Sequence, residues 1–335
     1  MKKSNIKRFF KGEIYIIITA VLWGFISVFT LPLNDAGFSS AEITFVRSVL
    51  AAVFLGAVLL FKDKKLFKVS VRDIPMLMFL GIACFMTVCL LYTISIEENG
   101  SSVAVMLMYT SPIWTVVMSR FIFKEKITPY KVVALIGILC GCALLSFGGT
   151  VNITVKGLLI GLATGLFLAL YVVFGKKAGK NYSAETVTFY VFLFSGVAAF
   201  FVCRGWYIPA KIAATPISLV YLCGLSVFST ALAYMFYSKG LKTVSAGKAS
   251  MISTLEIVVA TVVGIIAFGA DVGILGYAGI AVTVLSLIFL ELCDKNGVGK
   301  RDVKDEGNEQ SEKNGQNEKD DNNINGDKTE SEQCL

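Results

Sequence analysis

The chain has 335 residues, of which 55% are hydrophobic and 16% charged, and it carries a formal net charge of +7 with no histidine. Its apolar residues come in blocks of about twenty, the length that an α-helix needs to cross roughly 30 Å of hydrocarbon. The composition therefore excludes a soluble enzyme, and the absence of histidine excludes a mixed cysteine and histidine zinc site.

The apolar blocks predict an all-α integral membrane protein with ten transmembrane helices. In chain order the predicted spans lie near residues 13–32, 41–61, 74–94, 100–122, 132–149, 155–175, 184–203, 216–237, 247–269 and 272–292. Residues 1–12 precede them as a basic cytoplasmic segment. Residues 294–335 follow them, rich in Asn, Glu, Lys and Gly, with almost nothing to bury, which predicts a disordered cytoplasmic tail.

Positive charge is concentrated on one side of the predicted spans. Lysines and arginines cluster before the first span and in the loops after the second, fourth, sixth and eighth, whereas the opposite loops hold only Lys156, Arg204 and Lys211. Because short basic loops are retained in the cytoplasm, we expect a cell-membrane protein with both termini inside. This bias and the anionic lipids of the inner leaflet explain the net charge, so no nucleic-acid partner is expected.

The two halves of the chain are similar to each other. A shift of about 144 residues lays residues 40–44 on 183–187, Tyr92 on Tyr237 and Ala104 on Ala249. Five spans therefore occur twice, as residues 13–149 and 155–292, and because five is odd the second copy crosses the membrane in the opposite sense. Two inverted five-helix repeats are typical of transporters that alternate between inward-open and outward-open states.

Particular stretches point to a known family. The first repeat holds Leu22-Trp23-Gly24, Ser111-Pro112, and the segments 47–52, 123–125 and 136–141, and the second holds Ser253-Thr-Leu-Glu-Ile257. With ten spans in two repeats, the chain resembles the EamA family of the drug/metabolite transporter superfamily, in which Ile257 is often a proline. The resemblance implies transport, in most members export, of amino acids, other metabolites or drugs.

Glu256 is the one carboxylate in an apolar run long enough to span the bilayer. A charge there costs about 2.5–3.5 kcal/mol on insertion scales, and glutamate is too short to reach the interface, so it is expected to face the protein interior. Three roles remain open: binding a cationic substrate group, carrying a coupling proton, or structural hydrogen bonding. Arg47 is a candidate ion-pair partner, but its long side chain can instead extend to the nearer membrane surface.

Polar and aromatic side chains at helical spacing suggest a substrate cavity. Ser253 shares a helical face with Glu256, and Tyr109 precedes Pro112, which should interrupt its helix because proline cannot donate to the carbonyl of Met108. The other candidates are Trp23 with Thr19 and Ser27, Tyr92, and Tyr234 and Tyr237 with Ser226 and Thr230. Each aromatic residue can alternatively be a packing or interface residue.

The sequence thus predicts a secondary transporter that exports a small amino acid-like metabolite. A drug or cation efflux carrier is the alternative, followed by a channel or scaffold. No Walker loop, HExxH motif or paired intramembrane aspartates are present, so neither an enzyme nor a cofactor is expected, and the cysteines form no metal-binding pattern. The expected partners are a small-molecule substrate, the bilayer and, for coupled transport, a proton, and a monomer or a homodimer is expected. Glycines at four-residue spacing in the fifth and sixth spans indicate helix packing, a dimer face or a hinge.

Overall fold

The structure is a computed structural model that describes residues 2–146 and 154–294, with side chains described from Gly12 onward. Regular structure in these ranges is helical throughout, and ten helices are long and apolar enough to cross a membrane. They are Gly12–Asp35, Ser40–Lys62, Val71–Asn99, Ser101–Ile122, Pro129–Ser146, Val155–Asn181, Ala184–Val202, Ile217–Leu241, Ala246–Phe268 and Gly273–Cys293, numbered span 1 to span 10 in this order.

The ten predicted spans are confirmed, with ends that shift by a few residues. The largest shift is in span 6, which continues to Asn181 because Lys176, Lys177 and Lys180 extend the helix beyond its apolar part. The short helix Lys64–Phe67 follows span 2, the helices Gly205–Tyr207 and Ile208–Ala214 follow span 7, and span 3 itself begins with the short helix Val71–Asp73. The end predicted for span 5 at residue 149 and the predicted tail after Asp294 lie outside the described residues.

The chain divides into two compact units, residues 1–287 and 288–335. The first contains spans 1 to 9 and most of span 10. Of the second, the structure describes residues 288–294, the helical end of span 10.

Several spans are interrupted, and two kinds of interruption recur in both repeats. Span 3 contains a π-helical stretch, Phe79–Met86, and span 8 contains another, Leu225–Leu232. Threonine hydroxyls support both by donating to the carbonyl five residues earlier, Thr87 to Ile82 at 3.2 Å and Thr230 to Leu225 at 2.9 Å. Such bulges often mark functional sites.

Spans 4 and 9 are each broken into two helices. Span 4 consists of Ser101–Met108 and Ser111–Ile122, and the break before Pro112 is the one that the proline predicts. Span 9 consists of Ala246–Ser253 and Leu255–Phe268 and breaks at the equivalent position without a proline. Span 1 is also broken, at Phe25, whereas its counterpart span 6 is continuous, so the repeats differ there.

Packing between the spans follows a two-fold pattern. Span 2 packs on span 7, its own counterpart. Spans 3 and 4 pack on span 6 as spans 8 and 9 pack on span 1, and span 3 contacts span 7 as span 8 contacts span 2. The two repeats therefore interlock, and each contributes to the interior of the bundle.

Ion pairs hold both ends of the central pair of spans 2 and 7. At one end Glu185 accepts hydrogen bonds from Lys62 at 3.0 Å and contacts Lys239 at 3.2 Å, and at the other Lys211 binds Glu42 at 2.7 Å. Glu42 and Glu185 each lie in the first turn of their span, where the helix dipole favours a carboxylate. The end with Lys62 and Lys239 is called the basic end below.

The glycine rows in spans 5 and 6 are covered by neighbouring spans of the same chain. A Cβ atom built at Gly161 would lie 2.4 Å from Leu107, and one at Gly157 would lie 2.4 Å from Asn99. On span 5, a Cβ at Gly141 would lie 2.1 Å from the hydroxyl of Thr283 in span 10. Of the three predicted roles for these glycines, close packing within the bundle is the one these contacts support.

We expect Gly141→Ala to lower the thermal stability of the protein in detergent by several degrees. The added methyl would meet backbone atoms at 2.8 and 2.9 Å, which cannot move away as a flexible side chain can, and overpacking of this kind costs about 1–3 kcal/mol. Gly175→Ala is the matched control, because its nearest neighbour would be Leu241 at 3.9 Å and alanine favours a helix by about 1 kcal/mol. Equal melting temperatures for the two variants would contradict the packing role of Gly141.

Candidate functional site

The eight side chains predicted to bind substrate lie together inside the bundle. This central cluster consists of Trp23, Arg47, Tyr92, Tyr109, Tyr234, Tyr237, Ser253 and Glu256, from spans 1, 2, 3, 4, 8 and 9. Glu256 is ten residues from the basic end of span 9, about 15 Å along a helix, and Arg47 is seven residues from the opposite end of span 2, about 10 Å. Both therefore lie near the middle of the membrane-crossing region.

Tyr234 is the centre of the aromatic contacts. Its ring lies 4.9 Å from the ring of Trp23 and 5.3 Å from that of Phe85, measured between centroids. Tyr171 and Phe192 approach it at 5.5 and 5.3 Å, both edge to face. Aromatic residues from spans 1, 3, 6 and 7 thus surround one tyrosine of span 8, an arrangement that gives each ring a favourable edge-to-face geometry.

The break in span 9 shapes the region around Glu256. The hydroxyls of Ser253 and Thr254 donate to the carbonyls of Ser250 and Met251 at 2.8 and 2.6 Å. The N–H of Ile257 donates to Thr254, three residues earlier, rather than four as in a regular α-helix. Glu256 consequently sits in the first turn of a new helix, Leu255–Phe268, whose N-terminal dipole favours negative charge.

Four tyrosine side chains lie within electrostatic range of the carboxylate of Glu256. The carboxylate acts electrostatically on the side chains of Tyr92, Tyr109, Tyr234 and Tyr237. Ser253 is hydrogen-bonded to Tyr237, whose ring lies 5.2 Å from that of Trp23. Glu256 is half-buried, and among the described residues no lysine or arginine forms an ion pair with it.

Arg47 turns toward the middle of the bundle and not toward the nearer surface. One terminal nitrogen of its guanidinium donates to the sulfur of Cys89 at 2.7 Å, and the guanidinium carbon lies 5.0 Å from the ring centroid of Phe85. Within the described part of the chain Arg47 has no carboxylate partner, so the suggested ion pair with Glu256 is not formed. Its buried Nε also has no hydrogen-bond partner there.

A second unsatisfied donor lies in the same cluster. Trp23 is only 8% exposed, and its buried indole Nε1 has no hydrogen-bond acceptor among the described residues. Buried donors usually find an acceptor, and leaving one unpaired costs about 1–3 kcal/mol. Trp23 and Arg47 therefore offer two donors to which no other described side chain or carbonyl provides an acceptor.

The sequence does not predict four side chains that contact the central cluster. Three of the hydroxyls that it suggests for the substrate cavity are instead bonded to the backbone. The missed residues are Phe85, Cys89, Tyr171 and Phe192, and in an apolar span nothing marks such residues as central. By contrast, three hydroxyls bond to backbone carbonyls inside the bundle: Thr19 to Ala233 at 3.0 Å, Ser226 to Leu222 at 2.5 Å and Thr230 to Leu225 at 2.9 Å. These three hydroxyls therefore already donate their hydrogen bonds to the backbone.

Glu125 links three spans at the basic end. Its carboxylate binds the ammonium of Lys176 in span 6 at 2.9 Å and accepts from the backbone N–H of Ala246, at the start of span 9, at 3.0 Å. The side chains of both charged partners are largely buried, at 11% and 14% exposure. A further pair, Lys248 with Glu13, joins spans 9 and 1 at the same end. Both contacts connect one repeat with the other.

Among residues 2–146 and 154–294, no group of three or more histidine, cysteine, aspartate or glutamate side chains is placed to hold a metal ion. The chemistry offered by the central cluster is therefore binding through one carboxylate, one guanidinium, hydroxyls and aromatic rings.

Comparisons with known proteins agree with this architecture. The model of the EamA-like transporter family matches residues 10–147 and again residues 155–292. An uncharacterized transporter of Archaeoglobus fulgidus is 28% identical over 273 residues, covering 77% of this chain and 88% of that protein. The uncharacterized inner membrane transporter YicL of Salmonella typhimurium is 24% identical over 292 residues, covering 84% and 95%.

The fold is also found in a solved structure. A crystal structure of another protein superimposes on this chain with a TM-score of 0.72 at 16% identity, covering 85% of this chain and 98% of that one. At this identity the likeness shows the fold alone, ten helices arranged as two repeats.

Proposed function

Because the chain belongs to the EamA-like transporter family, matched over both of its halves, we propose that it is a secondary transporter that exports a small amino acid-like metabolite. Transport proceeds by alternating access of the two inverted repeats around the central cluster. The energy comes from the substrate gradient or from a coupled proton, since the sequence has no nucleotide-binding motif.

One observation carries the substrate class: a guanidinium and a carboxylate near the membrane centre that do not pair with each other. Arg47 lies about 10 Å from one end of its span, and Glu256 lies about 15 Å from the opposite end of its own span. In a hydrocarbon core of about 30 Å, the two residues are therefore about 5 Å apart along the membrane normal. A charge near the membrane centre without a partner is costly, so a solute with both a carboxylate and an ammonium group would satisfy both. A zwitterion fits this arrangement.

The remaining groups favour the same class. The unpaired donors of Trp23 and Arg47 suit a carboxylate, and the rings around Tyr234 provide an apolar and cation-binding wall for the ammonium and the side chain. A single arginine is poorly suited to sugar phosphates, which need several positive groups. Glu256 and the aromatic wall alone would suit a drug-like cation, which is why cation efflux is kept as the second candidate.

The experiment that tests this function is metabolite profiling of cells that overexpress the chain. We expect an amino acid-like compound to accumulate in the medium with the wild type and not with a variant that carries both Arg47→Gln and Glu256→Gln at equal membrane abundance. Accumulation inside the cells instead would reverse the direction, and unchanged profiles would contradict export.

The ion pair of Glu125 is proposed as a latch that keeps the basic end closed. Glu125→Gln replaces an ion pair by a hydrogen bond from the ammonium of Lys176 to a neutral amide, a loss of about 1 kcal/mol or about a fivefold shift toward the open state. We expect a cysteine placed at Ser253 to react about fivefold faster with a thiol reagent applied from the basic end. The control is Glu98→Gln, since the Glu98 ion pair with Lys156 lies at the opposite end. Equal rates in wild type and Glu125→Gln would contradict the latch.

The charge bias of the loops supports a cell-membrane location with the basic end in the cytoplasm. In a background without native cysteines, Asp35→Cys and Tyr207→Cys should react with an impermeant thiol reagent in intact cells, and Lys64→Cys only after lysis. All three side chains are exposed, so the result depends on the side of the membrane on which each residue lies and not on its burial in the protein. Labelling at 64 but not at 35 would reverse the proposed orientation.

A further inference from the structure

Spans 2 and 7 leave an apolar groove on the outer side of their contact. It runs from Phe45 to Leu60 along span 2 and from Phe189 to Phe201 along span 7, and has a volume of about 700 Å³. None of its lining residues is polar or charged. Val53 and Val197 on its rims are 66% and 55% exposed, so the groove opens away from the bundle, toward the hydrocarbon in a membrane-embedded chain.

The shape of this groove suits a hydrocarbon chain. The helix rises about 22 Å from Phe45 to Leu60, roughly three quarters of the hydrocarbon thickness. The volume spread over that length gives a mean cross-section of about 30 Å², so the groove is long and narrow. Gly56 and Gly196 keep the floor free of side chains, because a Cβ at either would approach a neighbouring side chain within 3.2 Å.

Positive charge lies at one mouth of the groove. Phe67 lines the groove and is the last residue of the short helix Lys64–Phe67, which begins beyond the basic end of span 2. The side chains of Lys64 and Lys65 are exposed, and within the described residues neither forms an ion pair. The carboxylate nearest to them in sequence, Asp63, accepts from the backbone N–H of Lys65 at 2.8 Å.

We propose that this groove is a specific site for an anionic phospholipid. One acyl chain lies between spans 2 and 7, and the phosphate of the head group contacts Lys64 and Lys65. A lysine near the membrane surface attracts an anionic head group. A second copy of this chain is the less suitable occupant, because a parallel two-fold contact here would bring the lysines of both copies together.

The site adjoins the substrate cluster without belonging to it. Phe192 lies in the wall of the groove with its side chain fully buried, and its ring is 5.3 Å from that of Tyr234 in the cluster. The groove and the cluster are therefore separated by one layer of side chains. The inference does not depend on which substrate the central cluster binds.

Lipid retention on the purified full chain tests the proposal. We expect native mass spectrometry to show one phosphatidylglycerol retained at concentrations where phosphatidylcholine with the same acyl chains is lost. Lys64→Gln with Lys65→Gln should lower this retention about tenfold, whereas Lys124→Gln with Lys177→Gln, which removes the same charge elsewhere at the basic end, should not. Retention that does not depend on the head group or on Lys64 and Lys65 would overturn the proposal.

Filling the groove provides a second, independent variant. Val197→Trp places a large side chain at an exposed rim and should abolish retention of phosphatidylglycerol, while Val133→Trp, at a 58% exposed position on span 5, should leave it unchanged. Both variants should elute from size exclusion as the wild type does. If Val197→Trp instead leaves lipid retention intact, or converts a dimer to a monomer, the groove is not a lipid site.

Discussion

Replacing Glu256 by glutamine is expected to reduce substrate affinity tenfold or more while leaving the protein folded and inserted. Glutamine keeps the shape of the side chain and removes its charge. The loss of one charge-assisted contact, about 1.5–3 kcal/mol, corresponds to a factor of about ten to more than one hundred in affinity. The measurement is transport against substrate concentration and pH, at matched membrane abundance.

The pH profile separates two roles of Glu256. If the carboxylate carries a coupling proton, the glutamine variant should lose the pH dependence of the wild type, and if it binds the substrate ammonium, the loss should appear as a raised KM. Glu98→Gln is the matched control, because that residue pairs with Lys156 at the end of span 3. Identical affinity and pH profile in wild type and Glu256→Gln would leave Glu256 as a structural hydrogen-bonding residue.

Replacing Arg47 by glutamine is expected to produce the complementary defect. If the guanidinium binds the substrate carboxylate, Arg47→Gln should weaken binding of the zwitterion about tenfold and leave binding of the corresponding decarboxylated amine unchanged. Glu256→Gln should weaken binding of both compounds, since both retain the ammonium group. Competition against transport of the labelled substrate measures all four affinities.

Arg120→Gln controls for the loss of an arginine, because Arg120 is exposed at the end of span 4. If Arg47→Gln weakens the zwitterion and the amine equally, the residue supports the cluster through Phe85 and Cys89 and does not contact the carboxylate. That result would not contradict the proposal that the chain is a carrier. It would contradict the assignment of Arg47 to the substrate carboxylate.

The sequence predicts the fold of this chain well because the bilayer constrains it strongly. Hydrophobic length marks all ten spans, and a proline at position 112 marks the break in span 4. The equivalent break in span 9 was not predicted, since Ile257 stands where a proline is expected. Hydroxyls of Ser253 and Thr254 create that break by bonding to carbonyls three residues earlier, which spacing alone does not reveal.

The sequence singles out eight side chains that the structure brings together, but not the four others that contact them, and not how they are arranged. Charge within an apolar span singles out Arg47 and Glu256, but only the short side chain of Glu256 is too costly to place anywhere except the interior. The direction of Arg47 depends on Cys89 and Phe85 in another span, and such contacts depend on how helices pack. The ring of Tyr171 belongs to the cluster for the same reason, although nothing near it in the sequence distinguishes it.

Counterflow in proteoliposomes tests most directly the central claim that this chain is a carrier for an amino acid-like zwitterion. Vesicles containing the purified chain are loaded with one unlabelled standard amino acid at a time, and uptake of the same labelled compound is followed. A carrier predicts that uptake of at least one compound saturates with its concentration and is stimulated by the internal pool. The claim would be contradicted if no compound is taken up. It would also be contradicted if, for every compound, uptake rises linearly with concentration and does not depend on the internal pool.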